Sequence, residues 1–126
     1  VHAEDGLDEI TVSGRTHIFI QEEEGKGIEE FSISPTDFGM QLSPLEHILG
    51  GDASQNAEIV QSVLSGEKGA PRDIVVLNAA FALYAGRKAL TSREGVQMAR
   101  ESIDSGKALQ ALKDLKDASH ATTTDR

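Results

Sequence analysis

The chain has 126 residues, with 12 Lys and Arg against 21 Asp and Glu, four Phe, one Tyr, and neither Trp nor Cys. That length allows one domain with a single core, and the lack of cysteine excludes a disulfide framework and a thiolate metal site. The net charge of −9 is unevenly spread: residues 1–63 hold 13 acids and 2 bases, or −11, and residues 64–126 carry +2, so the acidic first half repels nucleic-acid backbones. Carboxylates can still approach a phosphorylated ligand across a divalent cation.

No apolar run approaches the ~18 residues of a membrane span, and no signal-peptide pattern opens the chain. A soluble, cytoplasmic protein without membrane partners is therefore expected. Val1 rather than Met stands first, which suggests a piece of something longer.

Residues 1–9 are rich in carboxylates, hold Gly6 and have no helical period, so they read as a loop. Ile10-Thr11-Val12 alternates apolar with polar and reads as a strand. Ser13-Gly14 turns the chain, and Thr16 to Ile20 is a β-branched and aromatic run. Gln21 to Gly27 is a charged turn with Glu22, Glu23 and Glu24 at its tip. Ile28 to Ile33 returns antiparallel to the second run.

After residue 34 the start signals are helical. Ser34-Pro35-Thr36-Asp37 and Ser43-Pro44-Leu45-Glu46 each put Ser at an N-cap and Pro at the first helical position, and Glu46 sits where a capping box needs it. Asp52 opens a helix to Leu64, with Gln55 three residues on and Ile59, Val60 and Val63 along its apolar side. Gly66 and Gly69 end it.

Pro71 starts a helix from Arg72 to Ala85, closed by Gly86 and apolar around its circumference, so it is expected to be buried between other elements. Its burial needs more partner surface than the rest of the chain supplies, which points to a larger body. Asn78 in its middle is expected to be hydrogen-bonded within the core. Thr91-x-x-Glu94 is a further capping box, followed by the stripe Val96, Ala99 and Ile103 up to Gly106. Lys107 to Lys116 forms the last helix, and Ala118 to Arg126 is small and polar, as in a disordered tail.

Chemistry has two candidate locations. Asp8 and Glu9 are adjacent hard oxygen donors suited to Mg²⁺, which takes one or two carboxylates together with waters and substrate phosphates. Neighbouring side chains on a strand point to opposite faces, so the pair can share one ion only in a turn. A solvated loop is the other reading of the same residues. Gly50-Gly51-Asp52 could present free N–H groups to a phosphate, but the Asp52 carboxylate fills that role as a cap and repels an anion. His2, His17, His47 and His120 lack zinc spacing, and no G-x-S-x-G elbow or phosphate-binding glycine motif occurs.

Several stretches, in order, resemble one family. Val1-His2-Ala3-x-Asp5-Gly6-Leu7-Asp8-Glu9 is similar to the V-H-G-x-D-G-L-D-E signature of the anthranilate phosphoribosyltransferases. Further likeness lies in Ser34-Pro35-x-Asp37-Phe38-Gly39, Gly50-Gly51-Asp52-x-x-x-Asn56-Ala57 and Asp73-x-x-x-Leu77-Asn78-Ala79-Ala80 with Leu83-Tyr84. It continues through Gly95-Val96 and Ala99-Arg100-Glu101-x-Ile103-Asp104-x-Gly106.

The resemblance implies an α/β fold, the C-terminal portion of a phosphoribosyltransferase/nucleoside-phosphorylase-type domain in which short β-strands precede a helical half. This portion would span residues 1–116, with 117–126 a flexible tail. It implies transfer of the phosphoribosyl group of phosphoribosyl pyrophosphate to anthranilate, in tryptophan biosynthesis, by a Mg²⁺-dependent homodimer. The family's acidic pair maps onto Asp8 and Glu9 as metal ligands; no catalytic or other cofactor-binding residue is carried over. Ala3 stands where the family has Gly, which removes backbone freedom beside the pair. The family's upstream Gly-rich phosphate loop, its Lys-His-Gly-Asn stretch, its anthranilate-binding Arg and its N-terminal helices are not in this sequence, so a fragment inactive alone is expected. A pyrimidine nucleoside phosphorylase-type enzyme, a non-catalytic relative acting as a binding module and a bare helical interaction module are the alternatives.

Overall fold

The computed structural model describes residues 1–21 and 24–121; Glu22 and Glu23 of the acidic tip and residues 122–126 of the expected tail lie outside the described residues. Three short strands, β1 (His2–Ala3), β2 (Thr16–Ile20) and β3 (Glu29–Ile33), precede four helices, α1 (Ala53–Leu64), α2 (Ala70–Ala85), α3 (Ser92–Asp104) and α4 (Lys107–Ala121). The sheet runs β1-β2-β3 with antiparallel pairing throughout; Ala3 faces Thr16, and Thr16 also faces Ile33. Along β2 the period of two is visible, with Thr16 and Ile18 buried and Phe19 exposed. Strand β1 falls within the stretch expected to be loop, because His2 and Ala3 find partners on β2.

Ile10-Thr11-Val12, expected as a strand, is irregular although all three residues are buried. Their backbone groups are satisfied by other means. Asn78 serves both polar groups of Ile10, Thr16 Oγ1 accepts the Thr11 N–H at 3.1 Å, and the Val12 carbonyl accepts the Ser43 N–H at 2.9 Å. Apolar alternation reported burial here, whereas ladder partners are what make a strand.

Two single-turn 3-10 helices follow, Pro35–Phe38 and Leu45–Ile48. The first begins as expected, with the Ser34 N–H donating to Asp37 Oδ2 at 2.7 Å. The second does not. Its N-cap is Pro44, without a side-chain cap, and the Ser43 N–H is committed to Val12, so the expected Ser43–Glu46 box is not formed.

Helix α1 carries the reciprocal box that its sequence announces. Asp52 Oδ1 accepts the Gln55 N–H at 2.9 Å, and Gln55 Oε1 accepts the Asp52 N–H at 3.0 Å. At α3, Thr91 Oγ1 accepts the Glu94 N–H at 3.1 Å, but the Glu94 carboxylate reaches back to the Leu90 N–H rather than to Thr91.

Helices α2 and α3 make the most extensive helix contact. A Cβ on Gly95 would lie 2.5 Å from the Ala80 carbonyl oxygen, so only glycine permits this approach. Val76, Leu77 and Ala80 of α2 meet Val96, Ala99 and Ile103 of α3, and Ile10, Val12 and Ile18 from the sheet side complete the core. Full burial of a side chain such as Leu77 contributes about 1.5–3 kcal/mol.

Helix α2 is not covered all round as its composition suggests. Val75 is 42% exposed and Ala82 is exposed, on an open apolar groove of about 580 Å³ between the helices. Helix α4 runs to Ala121, beyond Lys116, and holds the groove's edge with Ala108 while Leu115 stays 66% exposed. No helix among the described residues is long and apolar enough to cross a membrane.

Candidate metal-binding loop

Residues 4–9 leave β1, turn and re-enter the core at Ile10. Gly6, at φ +93°, supplies the left-handed step that a side chain would strain. The Ala3 N–H donates to the Leu7 carbonyl and the Gly6 N–H to the Ala3 carbonyl, each at 3.0 Å. Ala3 itself, where the family has Gly, lies fully buried in β1 with a negative φ, so its methyl fits without backbone strain.

Asp5 braces the turn with its side chain. Its Oδ1 accepts the Leu7 N–H at 3.1 Å, and its Oδ2 accepts the hydroxyls of Thr11 and Ser13. Burial pushes the Asp5 pKa up, but donation from Ser13, Thr11 and Leu7 outweighs it and holds the carboxyl below its ordinary value.

Asp8 and Glu9 sit in the bend that follows, both exposed. Neither side chain has a hydrogen bond or ion pair among the described residues. The pair thus lies outside a regular strand, in which neighbouring side chains would point to opposite faces. Among the described residues no group of three His, Cys, Asp or Glu could close a shell around a metal. Exposed carboxylates are hard oxygen donors of the type that Mg²⁺ takes together with water and phosphate oxygens.

At the glycine pair before α1, several of the amides are already used by side chains. Asn56 Oδ1 accepts the Gly51 N–H at 2.8 Å, and the Asp52 and Gln55 amides are used within the capping box. The histidines are dispersed. His17 Nδ1 lies 3.1 Å from Ser32 Oγ across the sheet, and His120 Nδ1 lies 2.7 Å from the Lys116 carbonyl.

Two features of this region were not readable beforehand. Asn78, expected to be satisfied inside the core, bonds a backbone 68 residues away: its Oδ1 accepts the Ile10 N–H at 2.9 Å and its Nδ2 donates to the Ile10 carbonyl at 2.8 Å. The role of Asp5 was missed as well, although Asp-Gly followed by hydroxyl residues at 11 and 13 is the composition of a side-chain-stabilised turn.

The family model described as "Glycosyl transferase family, a/b domain" matches residues 1–109. An anthranilate phosphoribosyltransferase of Rubrobacter xylanophilus is 51% identical over 113 residues, which cover 89% of this chain and 32% of the relative. The Saccharomyces cerevisiae anthranilate phosphoribosyltransferase in complex with 4-fluoroanthranilate has a TM-score of 0.82 at 28% identity, over 95% of this chain and 35% of that one. The same yeast enzyme in complex with PRPP and Mg has a TM-score of 0.73 at 26% identity, over 89% of this chain and 31% of that one. The chain thus spans about a third of the length of the curated relatives it matches. Short strands followed by a helical half agree with the expected C-terminal portion of an α/β domain. Matched over residues 1–109 of its 126, the chain belongs to the glycosyl transferase family, within that family's a/b domain.

Proposed function

We propose that the intact protein transfers the phosphoribosyl group of phosphoribosyl pyrophosphate to the amine of anthranilate, in tryptophan biosynthesis. In this reading residues 1–116 are the C-terminal part of its α/β domain, and Asp8 and Glu9 are its magnesium ligands. The observation that carries it is an exposed, partner-free Asp–Glu pair on a braced turn, in a chain so similar to enzymes of that name. The pyrimidine nucleoside phosphorylase and the binding-module alternatives have no comparable support.

The chemistry asks for charge at the leaving group. As the C1′–O bond breaks, positive charge grows on the ribose and negative charge on the pyrophosphate. Bound Mg²⁺ would offset the second of these. Asp8 and Glu9 would hold the ion from the protein side, on a turn that Asp5 keeps from collapsing. The anthranilate contacts and the contacts of a homodimer would lie in the rest of the protein, which we place in the cytoplasm.

Incubating the intact protein with phosphoribosyl pyrophosphate, Mg²⁺ and anthranilate should consume anthranilate fluorescence. Failure with anthranilate, joined to phosphate-dependent release of thymine from thymidine, would move the assignment to a nucleoside phosphorylase. Turnover that survives Asp8→Asn with Glu9→Gln would remove the metal role.

A further inference from the structure

We infer that Asn78 of α2 and Asp5 are positioning residues for the Asp8–Glu9 carboxylates, because their side chains fasten the two ends of the stretch from Asp5 to Ile10 that carries the pair. This rests on the reading of Asp8 and Glu9 as ligands of a divalent cation, and adds to it the groups that set their geometry.

The two fastenings differ in kind. At the far end, Asn78 holds Ile10 by both backbone polar groups, at 2.9 and 2.8 Å, and spends its remaining amide hydrogen on the Ile74 carbonyl at 2.9 Å. The Ile10 N–H belongs to the peptide that joins it to Glu9, so this clamp fixes the plane from which Glu9 departs. The residues around the clamp are buried: Ile10 is 2% exposed and Leu77 is fully buried. At the near end, Asp5 gathers the Thr11 and Ser13 hydroxyls and the Leu7 N–H, so the chain before the bend is tied to the chain after it.

Between the fastenings the pair has no side-chain tether of its own among the described residues. Its order is therefore borrowed. If either fastening is cut, the bend gains conformations, and a cation must bear the loss of that entropy when it binds. A polar clamp that served stability alone would lower the melting temperature without changing how a folded molecule binds metal.

The test measures binding directly in the intact protein. Mn²⁺ is added with inorganic pyrophosphate, and the free hexaaqua Mn²⁺ is read by electron paramagnetic resonance. Asn78→Ala should weaken Mn²⁺–pyrophosphate binding about tenfold. Asn78→Asp, which keeps the acceptor for the Ile10 N–H and loses both donations, should fall between it and the wild type. Asp5→Asn should weaken binding severalfold. Val63→Ala, a core truncation in α1, is the control for stability and should leave the affinity within twofold even where its melting temperature falls as far.

Wild-type affinity in folded Asn78→Ala or in Asp5→Asn overturns the inference, as does an equal loss in Val63→Ala. Should Asn78→Ala fail to fold, Asn78→Asp and Asp5→Asn decide by the same criterion. Asp8→Asn with Glu9→Gln separates the two claims. If that double variant loses the metal while the positioning variants keep it, the ligand reading stands and this inference falls. If the double variant binds as the wild type does, the ligand reading itself is wrong.

Discussion

Carboxylates on consecutive residues repel each other when both are charged, and neither Asp8 nor Glu9 has a cationic partner among the described residues to relieve it. A dication removes that repulsion and adds attraction to both. Asp8→Asn with Glu9→Gln keeps the shapes and removes the charges. We expect kcat/KM of the intact protein to fall about 100-fold or more, roughly 2.7 kcal/mol at 1.36 kcal/mol per decade, as measured by turnover across a Mg²⁺ titration. Asp5 acts by another route. Its folded pKa lies below the ordinary 3.8, so its contribution is fully present above that value and is lost as pH falls through the lower, folded value. Asp5→Asn should therefore show a constant deficit in urea midpoint from pH 5 to pH 7. That deficit should narrow as the pH drops below about 4. A deficit that stayed unchanged down to pH 2 would mean that the charge of Asp5 contributes nothing.

At the scale of elements, what could be read from sequence was local. The starts of α1 and α3 follow from Asp52 with Gln55 and from Thr91 with Glu94, side chains within three residues of the amides they serve. Ser43-Pro44 carries a similar signal, yet the Ser43 N–H is taken by Val12, and only one 3-10 turn follows. The pairing of Asn78 with Ile10 and of Arg72 with Asp104 spans 68 and 32 residues, and no local pattern announces either. The acidic pair was legible as a candidate from residue type alone; the braces that hold it are tertiary. Arg72 makes the point in energy. Its side chain is 4% exposed and lies 2.7 Å from the half-exposed Asp104 carboxylate, so Asp104→Ala strands a buried guanidinium with the Gly66 carbonyl, at 3.4 Å, as its one remaining hydrogen-bond partner among the described residues. We expect a loss of about 1–2 kcal/mol in urea unfolding, below the value for a fully buried pair because solvent screens Asp104. Gly95→Ala tests the helix contact. Its methyl would meet the Ala80 carbonyl oxygen at 2.5 Å, on backbone that cannot swing aside, and should cost about 1–3 kcal/mol in the same measurement.

For the whole molecule the decisive feature is the unfinished surface of α2. Its apolar composition calls for cover on all sides, but the described chain buries Val76, Leu77 and Ala80 and leaves Val75 and Ala82 open on a groove of about 580 Å³. Relatives three times as long supply a natural source of cover, since this chain matches only 32% of the length of one of them. An amide in a helix exchanges through local opening, and the free energy of that opening rises with the apolar contact that must be broken. If the remainder of the protein seals this groove, the amides from Ile74 to Leu83 should exchange at least ~100-fold more slowly in the intact protein than in the isolated 126-residue segment, as read by hydrogen–deuterium exchange with mass spectrometry. The capped start of α1 at Asp52 should differ far less, because its hydrogen bonds are local and close within the segment. Equal protection of α2 in both forms would show that the contacts with α3 and the sheet suffice, and that the exposed strip of Val75 and Ala82 is ordinary surface.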